Sequence, residues 1–499
     1  MTLLNTKVFN DVSWLERDYN GSPIAMDDSR TANLDLFTAA IARAVWAQIL
    51  ANYYLPDHEA DAFETPTIEE PRTIFDRGVK QFLEGFSRWD AQYFLHIARH
   101  GYSYENTLAF LPLFPLCLNA TATGLHLLGA RLLNLTSCLL LAGVLLNTLC
   151  FTLAALRLYD LTFTLFKHRK MAHWTLIFFC CNPASIFFSA LYSESLFLFL
   201  TLEGLWSLEN DRVYLAAFFF GFSGATRANG IISIGFLWYY EMKKFAANLS
   251  SLTKMTLLQR IFFVMEWIFE VSHTLVIGVL PFCAYQAYAF FSYCTPSKVP
   301  HWWWPVIELA STKGYKMPGD EPLSPWCRQL LPLSYPYVQK TYWDVGFLEY
   351  YKLRQTPNFL LALPILAILL KRGLEYYRAN PTYCHYLGIF PAKYRRSSLL
   401  LNSDRTFVFT VHAVALCLFA TFFINIQVST RLLCSSTPLL YWVAASHTSS
   451  AVPSATLGHS VNTLIMASYQ HLPLRLILGY FWLYFITGIV VHVNWLPWT

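Results

Sequence analysis

Arg88-Trp89-Asp90-Ala91-Gln92-Tyr93-Phe94-Leu95-His96-Ile97-Ala98-Arg99-His100-Gly101-Tyr102 continues through Tyr104-Glu105 to Ala109-Phe110-Leu111-Pro112-Leu113-Phe114-Pro115. Acids, histidines and arginines sit here among aromatics, immediately before the chain turns almost continuously apolar. Ionisable residues at a membrane edge are costly, and they persist where they do chemistry. A chemical site next to membrane helices is the first expectation.

The rest of the chain agrees with the membrane half of that expectation. Its 499 residues are 55% hydrophobic, 17% aromatic and 13% charged, against about 25% charged in an average soluble protein. Too few charges remain to cover a water-facing surface, and the mean hydropathy is +0.37. The fold class is therefore an all-α polytopic membrane protein. A formal net charge of +5 over this length gives no reason to expect nucleic acid, and Lys and Arg read instead as topology signals.

Runs of about 20 apolar residues mark spans, and about ten are expected. Residues 1–33 are polar and read as a cytosolic N-terminal segment without a cleavable signal. The first span covers 34–55, and 56–107 form a polar loop holding the opening motif. Residues 108–293 are membrane helices with short loops, among them 174–191 as one apolar run. Residues 294–356 form a long loop rich in Trp and Pro, and 357–499 return to membrane helices around a basic loop at 371–405. Pro112 and Pro115 suggest that 108–128 is re-entrant, which backbone shielded from lipid permits.

Cytosolic loops accumulate Lys and Arg, which assigns the basic loops at 157–173, 243–260 and 371–405 to the cytosol. Counting outward then brings Glu194, Arg227, the 294–356 loop and Arg431 to the opposite face. Arg227 and Arg431 each end an apolar run. They suit a phosphate, which the guanidinium fork matches, or they snorkel to the interface. Glu194 orients a substrate hydroxyl or caps the helix after it.

Read as a helix over 88–100, Trp89, Tyr93, His96, Ile97 and His100 share one side, as in a helix lying in the interface. Asp90 then sits at the edge of that face, placed to act as a general base on a head-group hydroxyl. The alternative is an aromatic belt helix whose Asp90 caps or pairs with Arg88. The eleven cysteines show no CxxC or CxxH spacing, so no zinc site is expected. Cys294 and Cys327 share the long loop and either pair, if it faces an oxidising compartment, or stay free. The absence of any Asp-x-Asp argues against a metal-dependent sugar-nucleotide transferase.

Taken together, the motifs resemble a known family. Arg88-Trp89-Asp90-Ala91 with Gly101-Tyr102 is joined by Pro56-Asp57-His58, Asn182-Pro183-Ala184, Tyr192-Ser193-Glu194 and Thr226-Arg227-x-Asn229-Gly230. Further along come Pro325-Trp326-Cys327, Tyr342-Trp343-x-Val345-Gly346, Gln427-Val428-x-Thr430-Arg431 and Leu496-Pro497-Trp498-Thr499. The chain is similar to the PIG-V mannosyltransferases over nearly its whole length, with Leu111-Pro112-Leu113 as a local departure.

That resemblance implies a GT-C type bundle in the endoplasmic reticulum membrane, with lumenal loops carrying short interfacial helices. It implies transfer of the second, α-1,6-linked mannose from dolichyl-phosphate-mannose to the GPI glycolipid, by inversion, with no cofactor or metal. Asp90 is the expected base and Asp57 the second choice. Arg227 and Arg431 would hold the donor phosphate, with His96, His100, Glu105, Trp89, His58 and Glu194 arranging substrate. A small accessory membrane subunit belongs to the same expectation. A lipid transporter or scramblase, or a non-catalytic subunit of the GPI pathway, would also bury charges between spans; the first usually shows repeated halves, which are not found.

Overall fold

The computed structural model describes residues 47–54, 58, 62–66, 71, 73–129, 132–295, 302–390, 400–451, 460–496 and 498. Asp57 and most of the expected first span lie outside them. Among the described residues the elements are all helical. Four helices are long and apolar enough to cross a membrane: Leu135–Phe166, Leu257–Tyr293, Asp404–Phe422 and Leu472–Val493.

Shorter helices fill the bundle. Glu194–Glu209 is buried on nearly all sides, as a helix apolar all round must be when it sits inside a membrane bundle. It packs between Leu135–Phe166 and Val213–Thr226. At Gly204 an added Cβ would collide with the Phe220 ring, so the close approach of this helix pair depends on the missing side chain. Thr356–Ala379 is apolar only in its first half, and Arg372 and Glu375 pair in its second.

The expected run 174–191 is not one helix. Arg169–Cys180 stops, and a separate turn, Ser185–Ser189, follows. Pro183 has no N–H to give and biases Asn182 away from helical backbone. The freed groups are taken up locally: Asn182 Nδ2 donates to the Phe179 carbonyl at 2.9 Å, and the Ala184 N–H donates to Asn182 Oδ1 at 2.9 Å. Asn147, from the long neighbouring helix, donates to the carbonyls of Ala190 and Tyr192. Irregular backbone at this depth is tolerated because protein groups satisfy it. The break is what allows Tyr192 and Glu194 to face the site.

The two ends of the bundle differ in chemistry. At one, Arg405 donates to the carbonyls of Thr164 and Leu165, and Glu209 lies within electrostatic range of Arg405 and Lys243, so basic loops gather there. At the other end, a disulfide joins Cys294 to Cys327. It ties the end of Leu257–Tyr293 to a loop that carries helices Trp304–Lys313 and Ser334–Trp343. Leu113–Gly129 has 17 residues, about 25 Å of helix against a hydrocarbon core of about 30 Å. The chain before it is held near the disulfide, with Tyr293 OH donating to the Tyr102 carbonyl and Tyr285 OH to that of Leu108 at 2.9 Å each. The helix itself packs against Leu135–Phe166, whose C-terminus meets Arg405.

Candidate active site

Four charged residues distant in sequence meet at the disulfide end. Arg431 Nη1 donates to Asp90 Oδ2 at 2.6 Å, and Arg431 Nε lies 3.9 Å from Glu194 Oε1. The same Glu194 oxygen accepts from Arg227 Nη1. Acids and arginines alternate along the series Asp90–Arg431–Glu194–Arg227, two of each formal sign. Glu194 is fully buried, Arg431 and Arg227 are 16% and 18% exposed, and Asp90 is the most open at 29%. Burial of such charges is tolerable only when each is paired.

Glu194 opens its helix, Glu194–Glu209. The 16 residues reach about 24 Å to the basic end. Arg227 follows Val213–Thr226, in extended backbone. The next turn brings the Gly230 α-carbon so close to Ser223 and Gly224 that a Cβ would overlap their backbone. Asn229 Nδ2 donates to Ser436 Oγ at 2.9 Å, which ties the turn carrying Arg227 to the helix carrying Arg431. That helix, Ser429–Ser436, is almost wholly buried. The guanidinium of Arg431 also lies over Phe187 and Tyr192, 5.4 and 5.7 Å from their ring centres.

Asp90 begins helix Asp90–His100, and the residue before it holds an unusual backbone: Trp89 has φ +57° and ψ −124°. A non-glycine residue there is strained, and such strain persists only where its surroundings enforce it. Arg88, buried, donates to the Val493 carbonyl at 3.3 Å and stacks over Trp495. Trp89 meets Trp495 edge to face. Asp90 Oδ1 accepts no hydrogen bond from the described residues, whereas Oδ2 is taken by Arg431. One carboxylate oxygen is thus available to a substrate proton.

His96, His100, Glu105 and His58, also expected at the site, take other partners. His96 is fully buried between Thr65 Oγ1 at 3.1 Å and Ser103 Oγ at 2.7 Å, and it stacks on Tyr104. Burial, with His100 adding to it, pushes its imidazole down to about 3. His100 lies parallel to Trp303, and burial and then Arg99 push it down to about 4. Neither histidine is a cation near neutral pH. Glu105 accepts from Ser324 Oγ, from Trp326 Nε1 at 2.9 Å and from Tyr342 OH at 3.0 Å. Its carboxylate fastens the long loop. His58 is exposed, with its backbone N–H donating to the Asn494 carbonyl at 3.2 Å.

Two tyrosines not singled out for the site belong to it. The Asp90 N–H donates to Tyr192 OH at 3.2 Å. Burial raises the phenol of Tyr335, while the charges of Arg227 and Arg431 pull it down, which places the long loop beside both guanidiniums. Tyr192 stands in a quotable motif, next to Glu194. Tyr335 is one aromatic among many in its loop, and no local signal marks it.

A membrane protein whose described elements are helices, four of them long and apolar enough to cross a membrane, with a paired acid–arginine site at one end, is the class that this fold and site define. Residues 39–499 match the family model described as mannosyltransferase (PIG-V). The chain is 36% identical to GPI alpha-1,6-mannosyltransferase 2 of Cricetulus griseus, over 95% of this chain and 100% of that protein. To the Homo sapiens protein of the same name it is 37% identical, over 95% and 99%. To GPI mannosyltransferase 2 of Drosophila pseudoobscura pseudoobscura it is 36% identical, over 80% and 87%. The chain belongs to the PIG-V mannosyltransferase family and is a glycosyltransferase of the membrane. Among solved structures it is similar to the oligosaccharyltransferase of Archaeoglobus fulgidus, at a TM-score of 0.44 and 10% identity over 91% of this chain and 55% of that one, too distant a likeness to place any residue.

Proposed function

We propose that the protein adds the second, α-1,6-linked mannose to the GPI glycolipid precursor, taking it from dolichyl-phosphate-mannose at the lumenal face of the endoplasmic reticulum membrane, within a GT-C type bundle. The observation that carries the chemistry is the Asp90–Arg431 contact beside Glu194 and Arg227. Asp90 Oδ1 takes the proton of the acceptor's 6-hydroxyl as its oxygen attacks the anomeric carbon. The bond to the dolichyl phosphate oxygen breaks, and its electron pair leaves with the phosphate. One base and in-line attack turn a β-linked donor into an α-linked product without a covalent intermediate.

The phosphodiester carries one negative charge before transfer, and a further charge develops on its oxygen as the bond breaks. Donors aimed at developing charge stabilise the transition state. Arg431 and Arg227 are those donors, and no metal or cofactor is proposed. The bound phosphate competes with Asp90 for Arg431, which frees the carboxylate to accept a proton. The disulfide on the site's side supports an oxidising, lumenal orientation. A small accessory membrane subunit belongs to the same reading, and activity of a single purified chain would remove it.

The test supplies labelled dolichyl-phosphate-mannose and the one-mannose glycolipid to detergent-purified protein. Formation of a two-mannose product is expected. Hydrolysis of the donor alone, or transfer to another position, would overturn the assignment.

A further inference from the structure

The backbone around Trp89 poses a question that the charged residues do not answer: what holds a left-handed tryptophan directly before the proposed base? Tyr192 OH donates to the Arg88 carbonyl at 3.3 Å and accepts from the Asp90 N–H at 3.2 Å. One hydroxyl therefore bridges the two sides of the strained residue. His492 Nε2 lies 3.3 Å from the same oxygen. A tyrosine hydroxyl has one hydrogen and two lone pairs. Donation to Arg88, with acceptance from Asp90 and from a proton on His492 Nε2, uses all three.

The ring of Tyr192 is equally constrained. It is 2% exposed and meets Phe187 and His492 edge to face, at 5.1 and 5.6 Å between ring centres. His492 and Val493 end helix Leu472–Val493, and Val493 also receives the Arg88 side chain. The C-terminal helix and Tyr192 thus grip the Arg88-Trp89-Asp90 turn from one side, while Arg431 receives the carboxylate it presents.

We infer that Tyr192 is a positioning residue for the transfer reaction: its hydroxyl, backed by His492, clamps the strained Trp89 turn and so aims the Asp90 carboxylate at the acceptor hydroxyl. The inference rests on Asp90 being the base. Tyr192 touches no reacting atom, so its loss should lower turnover and leave substrate affinity alone. A misplacement of about 1 Å can lower a rate by roughly 100-fold.

Tyr192→Phe keeps the ring packing and removes the hydroxyl. In purified protein it is expected to lower kcat by roughly 10- to 100-fold, with KM for donor and acceptor changed by less than about twofold and a melting temperature lowered by only a few degrees, as the loss of the backbone bonds requires. His492→Asn, which removes the backing contact, is expected to give a smaller fall of the same kind. Wild-type kcat in Tyr192→Phe, or a rise in KM that accounts for the loss, overturns the inference. So does a fall in melting temperature that tracks the activity of both variants. Asp90→Asn, measured alongside, separates the two levels. If it is inactive while Tyr192→Phe is fully active, only the clamp is wrong. If Asp90→Asn is active, the base assignment fails and the clamp with it.

Discussion

Arg431 donates to Asp90 across 341 residues of sequence, at 2.6 Å, and shares Glu194 with Arg227. The pairing sets each of two acids against an arginine inside the protein. It also sets up an exchange, because an anionic donor can take the arginine's place on the carboxylate.

Arg431 should therefore discriminate by shape as well as charge. Arg431→Lys keeps a cation but loses the planar fork. Donor KM in a microsomal transfer assay should rise in both variants, and more in Arg431→Ala than in Arg431→Lys. Equal donor dependence in wild type and both variants would remove Arg431 from the phosphate site.

Glu194 is fully buried between two guanidiniums. Breaking a buried pair by removing one partner typically costs about 3–5 kcal/mol, so Glu194→Ala should melt at a clearly lower temperature in detergent than wild type. Dolichyl phosphate, by supplying the missing anion, should restore part of the loss. A melting curve that is unchanged, or that does not respond to the lipid phosphate, would contradict the arrangement.

Glu105 offers a contrast. Its three donors come from the long loop, and leaving buried donors unpaired costs about 1–3 kcal/mol. Glu105→Ala should expose the 302–343 segment to protease and lower thermal stability, with kcat at low temperature within about threefold of wild type. Wild-type protease resistance with a large rise in acceptor KM would return Glu105 to the substrate site.

The histidines of the Asp90–His100 helix give a pH signature. Burial holds His96 at about 3 when folded, while the unfolded side chain titrates near 6.5. Below 6.5 the unfolded state binds more protons, so His96 contributes stability that is full above 6.5 and is lost as pH falls towards about 3. Melting temperature plotted against pH should fall less steeply on the acid side in His96→Gln than in wild type. Parallel curves would contradict a buried, neutral His96.

How much of this was legible in the sequence follows from what charge does in a membrane. Glu194, Arg227 and Arg431 stand out because apolar runs flank them, and counting basic loops assigns them to one face. Asp90 stands out differently, as an acid in a charged and aromatic stretch just before the chain turns apolar. Their direct contact was not legible, because it depends on the break at Asn182-Pro183, which turns an expected single helix into two pieces and brings Tyr192 and Glu194 round. Proximity in sequence to Asp90 does not reveal the partners of His96 and Glu105, because Thr65, Ser324 and Trp326 are remote in sequence. The role of Tyr192 depends on where one hydroxyl falls relative to two backbone groups, which no spacing encodes. Two cysteines in one long loop leave pairing open, and it is the return of the loop to the end of Leu257–Tyr293 that joins Cys294 to Cys327.

The central claim, that the carboxylate gripped by Arg431 is the base for mannose transfer, is tested most directly by one substitution. Asp90→Asn keeps the size of the side chain and its hydrogen bonding but removes the charge that accepts a proton. With labelled dolichyl-phosphate-mannose and the one-mannose acceptor, purified Asp90→Asn protein, inserted and as abundant as wild type, should form no two-mannose product above background. Transfer at a rate near that of wild type would contradict the account.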